Sequence, residues 1–152
     1  MLELQARIET ELKQATRERD QVRVVALRSV KNALHNQAIV YKTRGEKMPE
    51  NELIKILRSE VKKRREAKEL YEQGKRSELA AREEAELKIL EQYLPVAPAA
   101  DQVRQVAQSL KQELAITDKK ELGRLTKALL DHFSGSVDGK TASAIAREVL
   151  TS

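Results

Sequence analysis

The scarcity of residues that break helices is the feature that most constrains the fold of this chain. Glycine and proline supply only five and three of its 152 residues. Between them lie long stretches in which apolar residues recur every three or four positions, the spacing of an amphipathic helix. Aromatic residues are also rare, with three Tyr, one Phe and no Trp, so the core must be aliphatic. The sequence therefore predicts an all-α fold with charged, solvated helix faces.

Apolar periodicity predicts four helices in the first part of the chain. The first has Ile8 and Leu12 on its apolar face, and Asp20 is placed to cap the second. The third follows the loop that ends at Pro49, and the fourth runs to Pro95. Because the connections are short, we expect an antiparallel N-terminal domain of four helices over residues 1–95.

A small tail is expected after the fourth helix. Two prolines in an uncharged stretch predict a short, semi-rigid linker at residues 96–100. Asp101 is a suitable N-cap for a fifth helix and Asp118 for a sixth, and a seventh helix is expected over residues 141–150. Residues 101–152 should therefore form a three-helix tail domain.

The composition excludes several classes of protein. Without cysteine there is no disulfide, thiol nucleophile or thiolate metal site. No apolar run approaches the roughly 20 residues of a membrane span, and the acidic N-terminal stretch does not fit a signal or transit peptide. The two histidines, His35 and His132, have no partner at ligand spacing. We expect a cytoplasmic protein with no metal, no cofactor and no membrane contact.

The net charge of +5 is spread over both parts of the chain. It is too dilute to predict tight, sequence-independent binding to nucleic acid, and no DNA partner is expected. Weaker binding that depends on the shape of a structured RNA stays open.

No arrangement of residues predicts an active site. Glu83, Glu84 and Glu86 lie close together, but carboxylates on an exposed helix are usually salt-bridge partners with ordinary pKa values. The glycine-rich loops that cradle nucleotide phosphates are also missing. We therefore expect no catalysis by this chain alone.

The densest run of basic residues lies in the third helix. It offers an RNA-binding surface made of Arg58, Lys62, Lys63 and Arg65. The alternative is that pairs such as Glu60 with Arg64, four residues apart, neutralise the run on a solvated face.

The second helix has a polar face of its own. Arg28, Asn32 and His35 share one side by spacing and are expected either to line a polar groove or to form a solvated flank.

The tail carries the second set of candidate cations around its last two helices. We predict RNA contacts from Lys119, Lys120, Arg124, Lys127 and Lys140. Free backbone N–H groups at the two helix starts would add to phosphate binding.

Glycines divide the last two helices of the tail. The structural turn is assigned to Gly123, Gly135, Asp138 and Gly139. Gly135 and Gly139 are expected to permit positive φ, with Val137 turned into the core.

The motifs resemble, in order and spacing, the GatB/YqeY family, which joins YqeY-like proteins to the tail of the B subunit of tRNA-dependent amidotransferase. The matching segments are residues 28–34 (Arg-Ser-Val-Lys-Asn-Ala-Leu), 60–64 (Glu-Val-Lys-Lys-Arg) and 89–95 (Ile-Leu-Glu-Gln-Tyr-Leu-Pro), with Gly123 and Asp138-Gly139. The resemblance implies an all-helical fold in two parts, a larger N-terminal domain and a three-helix tail.

The resemblance also implies a role with tRNA. In the amidotransferase, a carbon–nitrogen ligase that uses glutamine as amide donor, the related tail helps to hold misacylated Glu-tRNA or Asp-tRNA, while catalysis occurs in other domains and another subunit. The expected function is therefore a non-catalytic, tRNA-binding accessory role in translation, with an amidotransferase or an aminoacyl-tRNA synthetase as a possible protein partner. Family members often place lysines before the glycine turn, whereas this chain has Asp131-His132-Phe133-Ser134, which argues against phosphate binding at the turn itself. The alternative function is a helical protein–protein interaction module without RNA binding.

Overall fold

The computed structural model describes residues 2–133 and 136–151 of the chain. Its helices are α1 (Leu2–Glu18), α2 (Gln21–Arg44), α3 (Glu52–Gln73), α4 (Ser77–Glu91), α5 (Ala100–Glu113), a short 3-10 helix (Lys119–Glu121), α6 (Leu122–His132) and α7 (Gly139–Thr151). No strand occurs among the described residues. The all-α prediction is confirmed.

Helix packing divides the chain into two compact units, Met1–Leu94 and Pro95–Ser152. In the first unit α1 packs on α2, α3 packs on α4, and α2 contacts both α3 and α4. Leu27, Leu57 and Leu90, each with no exposed surface, lie in its aliphatic core. Burying each such side chain stabilises the unit by roughly 1.5–3 kcal/mol.

The second unit is built from α5, α6 and α7, which pack on one another. Its core includes Leu125 and Leu129 from α6 and Ala146 from α7. Val137, in the connection before α7, is only 5% exposed, as expected for a side chain turned into the core.

A polar cap and a sharp turn set the boundary between α1 and α2. Arg19 takes a left-handed φ of 58°, which ends α1. The Oδ1 atom of Asp20 accepts a hydrogen bond from the backbone N–H of Arg23 at 3.2 Å, so the predicted cap of α2 is confirmed. At the other end of α2, Gly45 has φ 70° and its N–H donates to the carbonyl of Lys42 at 3.1 Å.

The start of α5 differs from the prediction that Asp101 caps it, which was wrong. The N-cap is Ala99, in extended conformation, so the helix begins at Ala100, two residues earlier than a cap at Asp101 would give, and no side chain caps it. Asp101 lies in the first turn, where its carboxylate pairs with Arg104 at 2.9 Å. A negative charge in the first turn still interacts favourably with the helix dipole.

Candidate nucleic-acid interface

A buried charge network occupies the centre of the first unit. Arg64 of α3 donates from Nη1 to Glu60 Oε2 at 2.8 Å and from Nε to Glu86 Oε2 at 3.2 Å. Its Nη2 donates to the hydroxyl of Ser29 on α2 at 2.8 Å. One guanidinium therefore links three helices and compensates two carboxylates that are 9% and 7% exposed.

The expectation that Glu60 and Arg64 lie on a solvated face was wrong. The two residues do pair four positions apart, but both are buried between α3 and its neighbours. Burial raises the pKa of Glu60, yet the hydrogen bond from Arg64 and the charges of Lys63 and Arg64 outweigh it, so the pKa lies below its ordinary value. This network holds the helices together and offers no accessible chemistry.

The three carboxylates of α4 have different environments and do not form a catalytic pair. Glu84 binds Lys68 at 2.8 Å and Lys88 at 3.6 Å, and the hydrogen bond from Lys68 is the main cause that lowers its pKa. Burial, followed by repulsion from Glu86, raises the pKa of Glu83. The expectation of exposed side chains was wrong, since Glu86 is buried and Glu83 and Glu84 are half-buried. The expectation of ordinary pKa values was wrong for Glu83 and Glu84.

The basic run of α3 is largely neutralised by acids. Lys62 pairs with Glu66 at 4.0 Å, Lys63 with Glu60 at 3.5 Å, and Arg65 with Glu91 of α4 at 3.3 Å. Arg58, the fourth candidate, is half-buried. The structure thus favours the alternative in which this run serves ion pairing, although Lys62 and Lys63 keep most of their surface in solvent.

The tail candidates lie on exposed surfaces of the second unit. Lys119 and Lys120 belong to the 3-10 helix, Arg124 and Lys127 lie one turn apart on the outer face of α6, and Lys140 is the second residue of α7. Helix α6 has 11 residues and is about 16 Å long. Lys140 follows the connection after its far end, whereas the other candidates lie along its length or just before its start.

Within the described residues, Arg124 is the one tail candidate that forms an ion pair. Arg124 Nη1 binds Glu121 Oε1 at 3.2 Å. Across residues 2–133 and 136–151, no ion pair involves the other candidates, Lys119, Lys120, Lys127 and Lys140. Arg124 and Lys127 are spaced so that they share one face of α6, but Asp131 continues the same face and dilutes its charge.

Aspartates cap the 3-10 helix that leads into α6 and also α7, so one backbone N–H at each of these two starts already has a partner. Asp118 Oδ1 accepts from the N–H of Lys120 at 2.9 Å, and Asp138 Oδ1 accepts from the N–H of Thr141 at 2.6 Å. A carboxylate therefore occupies the position at each helix start where a phosphate would bind.

The described glycines of the tail, Gly123 and Gly139, have no positive φ. Gly139 begins α7, and among the described glycines only Gly45 has a positive φ, so the expectation of positive φ at Gly139 was wrong. Gly135 lies outside the described residues. Gly123 is exposed in the first turn of α6, where an added Cβ would meet no atom within 4 Å. Packing does not explain why glycine stands there.

The polar face of α2 faces two neighbouring cavities. Arg28 and Asn32 line an open groove of about 460 Å³ between α1 and α2. His35 lines an adjoining cavity of about 180 Å³ whose walls include Leu34 and Met48. The structure therefore places two of the three predicted residues in one groove and the third beside it.

Residues 2–133 and 136–151 contain neither a cluster of metal-ligand side chains nor a membrane-spanning helix. No group of three or more His, Cys, Asp or Glu side chains is placed there to hold a metal ion. No described helix is both long and apolar enough to cross a membrane.

The helical architecture and the exposed cations define a class of all-α protein with basic surfaces. Residues 5–150 match the family profile described as Yqey-like protein. The chain belongs to this YqeY-like family. No curated protein gives a significant match to it.

Proposed function

We propose that this YqeY-like protein is a non-catalytic RNA-binding accessory protein whose tail contacts the phosphate backbone of tRNA or a similarly structured RNA. Such RNAs are recognised mainly through shape and backbone contacts, which need exposed cations and not a catalytic pocket. An amidotransferase or an aminoacyl-tRNA synthetase is the protein partner that fits this role, and the cytoplasm is the compartment.

The observation that supports the proposal is the contrast between two basic surfaces. The α3 candidates meet carboxylates on α3 and α4, so a phosphate would have to compete with existing partners. Four of the five tail candidates have no such partner among the described residues. Unpaired, solvated lysines can neutralise phosphates and release the counterions condensed on the RNA, which drives association.

The proposal treats the two compact units as separate domains with separate tasks. The first would present the N-terminal helices to a partner, and the second would carry the RNA contacts of the tail. The exposed Gly123 on the outer face of α6 supports the assignment of RNA binding to the tail. Because glycine has no side chain, the backbone of an RNA can approach the helix closely there.

Filter binding of the full chain to bulk tRNA, measured from low to moderate salt, tests the proposal. Replacing Lys120 and Lys127 by Gln should weaken binding by about tenfold and lower the slope of log affinity against log salt by about 1.5. The matched control is the double change of Lys62 and Lys63 to Gln, which removes the same charge from α3 and should alter binding far less.

Three results would contradict the proposal. The first is no binding of the wild-type chain at low salt. The second is equal weakening by the tail and α3 variants, which would indicate a response to net charge alone. The third is recovery of a protein partner in pull-downs that survives nuclease treatment while tRNA binding is absent, since that result would favour the interaction-module alternative.

A separate assay tests whether the chain is catalytic. Purified protein incubated with Glu-tRNA, glutamine and ATP should form no Gln-tRNA. Product formation dependent on this chain alone would overturn the non-catalytic assignment.

A further inference from the structure

The groove between α1 and α2 concentrates positive charge in the first unit. Lys13 and Arg17 project from α1, and Arg28 and Lys31 project from α2, around a floor that includes the buried Leu12. The two residues of each pair lie about one helical turn apart, so each helix brings two cations to the groove. All four cations are exposed, and no acidic residue lines the groove.

The sequence of α2 explains why these charges stay uncompensated. Its 24 residues contain no Asp or Glu, so the pairing at three or four positions that neutralises α3 is impossible within α2. Across the part of the chain that the structure describes, none of the four groove cations forms an ion pair.

The acids of α1 that lie nearest in sequence have other partners. Glu11 binds Arg7 at 3.3 Å and accepts a hydrogen bond from the hydroxyl of Tyr93. Glu18 binds Arg23 at 3.7 Å. Glu9 lines the adjoining cavity, outside the groove. The local carboxylates are therefore directed away from the groove.

We propose that this groove is a binding site for the phosphate groups of a polyanion. Four like charges in one groove repel one another, and a ligand with several adjacent negative charges relieves that repulsion. Asn32 also lines the groove, and its side-chain amide N–H groups can donate hydrogen bonds to a phosphate oxygen. A volume of about 460 Å³ open to solvent suits successive phosphates better than a single small anion.

The phosphates can come from an RNA backbone or from a free polyphosphate. The assignment of RNA as their source rests on the proposed function, with the groove as a second contact besides the tail. The assignment of phosphate as the ligand chemistry rests on the groove alone.

The test uses the full chain with two probes, inorganic tripolyphosphate followed by isothermal titration calorimetry and bulk tRNA followed by fluorescence anisotropy. The groove variant changes Arg17 and Arg28 to Gln. The matched control changes Lys55 and Arg82 to Gln, which are exposed residues of the same unit that line neither cavity. Both variants keep good helix formers, and circular dichroism checks that they fold.

The groove variant should bind tripolyphosphate at least about tenfold more weakly than the control, and its salt slope for tRNA should fall by about 1.5. Loss of tripolyphosphate binding with unchanged tRNA binding supports the phosphate site and limits RNA contact to the tail. If the wild-type chain binds tripolyphosphate through the groove but binds no tRNA, the proposed function fails and the groove assignment stands. Equal behaviour of the groove and control variants with both probes would overturn the inference.

Discussion

Replacing Arg64 by Met should destabilise the first unit more than most single changes in the chain. The guanidinium is 8% exposed and is the link between Glu60, Glu86 and Ser29. Without it, Glu86 loses its ion pair with Arg64, and Glu60 keeps only the pair with Lys63 at 3.5 Å. A buried carboxylate without a partner is costly because neither water nor a counter-charge solvates it.

The size of the effect follows from this arrangement. Removing one partner of a buried ion pair costs about 3–5 kcal/mol, and Arg64 is shared by two carboxylates, so we expect the upper half of that range at pH 7.5. Such a loss is a large fraction of the roughly 5–15 kcal/mol that stabilises a typical domain. A triple variant with Met at position 64 and Leu at positions 60 and 86 should recover most of the stability, since apolar replacement removes the desolvation cost.

The stability difference between the wild type and the Arg64→Met variant should also depend on pH. In the wild type the folded pKa of Glu60 is lowered below 4.5, so its contribution is present above the unfolded pKa and is lost as pH falls through the folded pKa. In the Arg64→Met variant burial still raises the pKa of Glu60 and only Lys63 opposes it, so this pKa is higher than in the wild type. Protonation then relieves the variant at pH 5, where the wild type keeps its contribution. The gap between the two proteins should therefore be smaller at pH 5 than at pH 7.5.

The assay is urea unfolding followed by tyrosine fluorescence. Tyr41, Tyr71 and Tyr93 are the only tyrosines of the chain and all lie in the first unit, and the chain has no Trp, so the signal reports on that unit alone. A loss of less than about 1 kcal/mol, the range of an exposed ion pair, would refute the reasoning. So would a triple variant no more stable than Arg64→Met.

Further changes test single features of the fold. Tyr93→Phe should lower the free energy of unfolding by roughly 1.5–3 kcal/mol, because Glu11 accepts a hydrogen bond from the buried hydroxyl. Burial and Glu11 raise the pKa of Tyr93 to about 12, so the stabilisation by this hydroxyl should be lost as pH rises from the unfolded value of 10 through 12. Absorbance at 295 nm, which follows the ionisation of tyrosine, checks this pH range. Asp20→Ala should cost about 1 kcal/mol by removing the cap of α2, and an unchanged urea midpoint would show that the cap is dispensable. Gly45→Ala should cost about 1 kcal/mol because its φ of 70° suits glycine, whereas equal or higher stability would contradict the left-handed backbone. Leu129→Ala should cost about 2–5 kcal/mol in the second unit, shifting the helical signal in circular dichroism and leaving the tyrosine transition in place; a shifted tyrosine transition would show that the units unfold together.

The helices could be predicted from the sequence because helix formation depends mainly on residues that are close together along the chain. The apolar spacing of Leu27 and Leu57 marked core faces that the structure buries completely, and the cap at Asp20 followed from its place before an apolar stripe. Asp101 misled the prediction because a good capping residue can equally lie in the first turn, as it does beside Arg104. The extended backbone of Ala99 shows that Ala99 is the N-cap, so Asp101 lies inside the helix.

The charged sites were harder to predict because ion pairs form between helices. The apolar spacing of α3 places Arg64 on the same face as Leu57 and Val61. It cannot indicate that the partners of Arg64 and Arg65 are Glu86 and Glu91 of α4, which lie 22 and 26 residues away. The groove cations had a signal that could have been used, the absence of acids from α2. Its significance depends on the packing of α1 against α2, which brings Lys13 and Arg17 to the same groove.

The most direct measurement of the central claim is ultraviolet cross-linking of tRNA to the full chain, with the cross-linked peptides identified by mass spectrometry. The account predicts cross-links on the peptides that carry Lys119, Lys120 and Lys127, where exposed lysines have no carboxylate partner among the described residues. Cross-links confined to the ion-paired run at Lys62 and Lys63, or none at low salt, would contradict it.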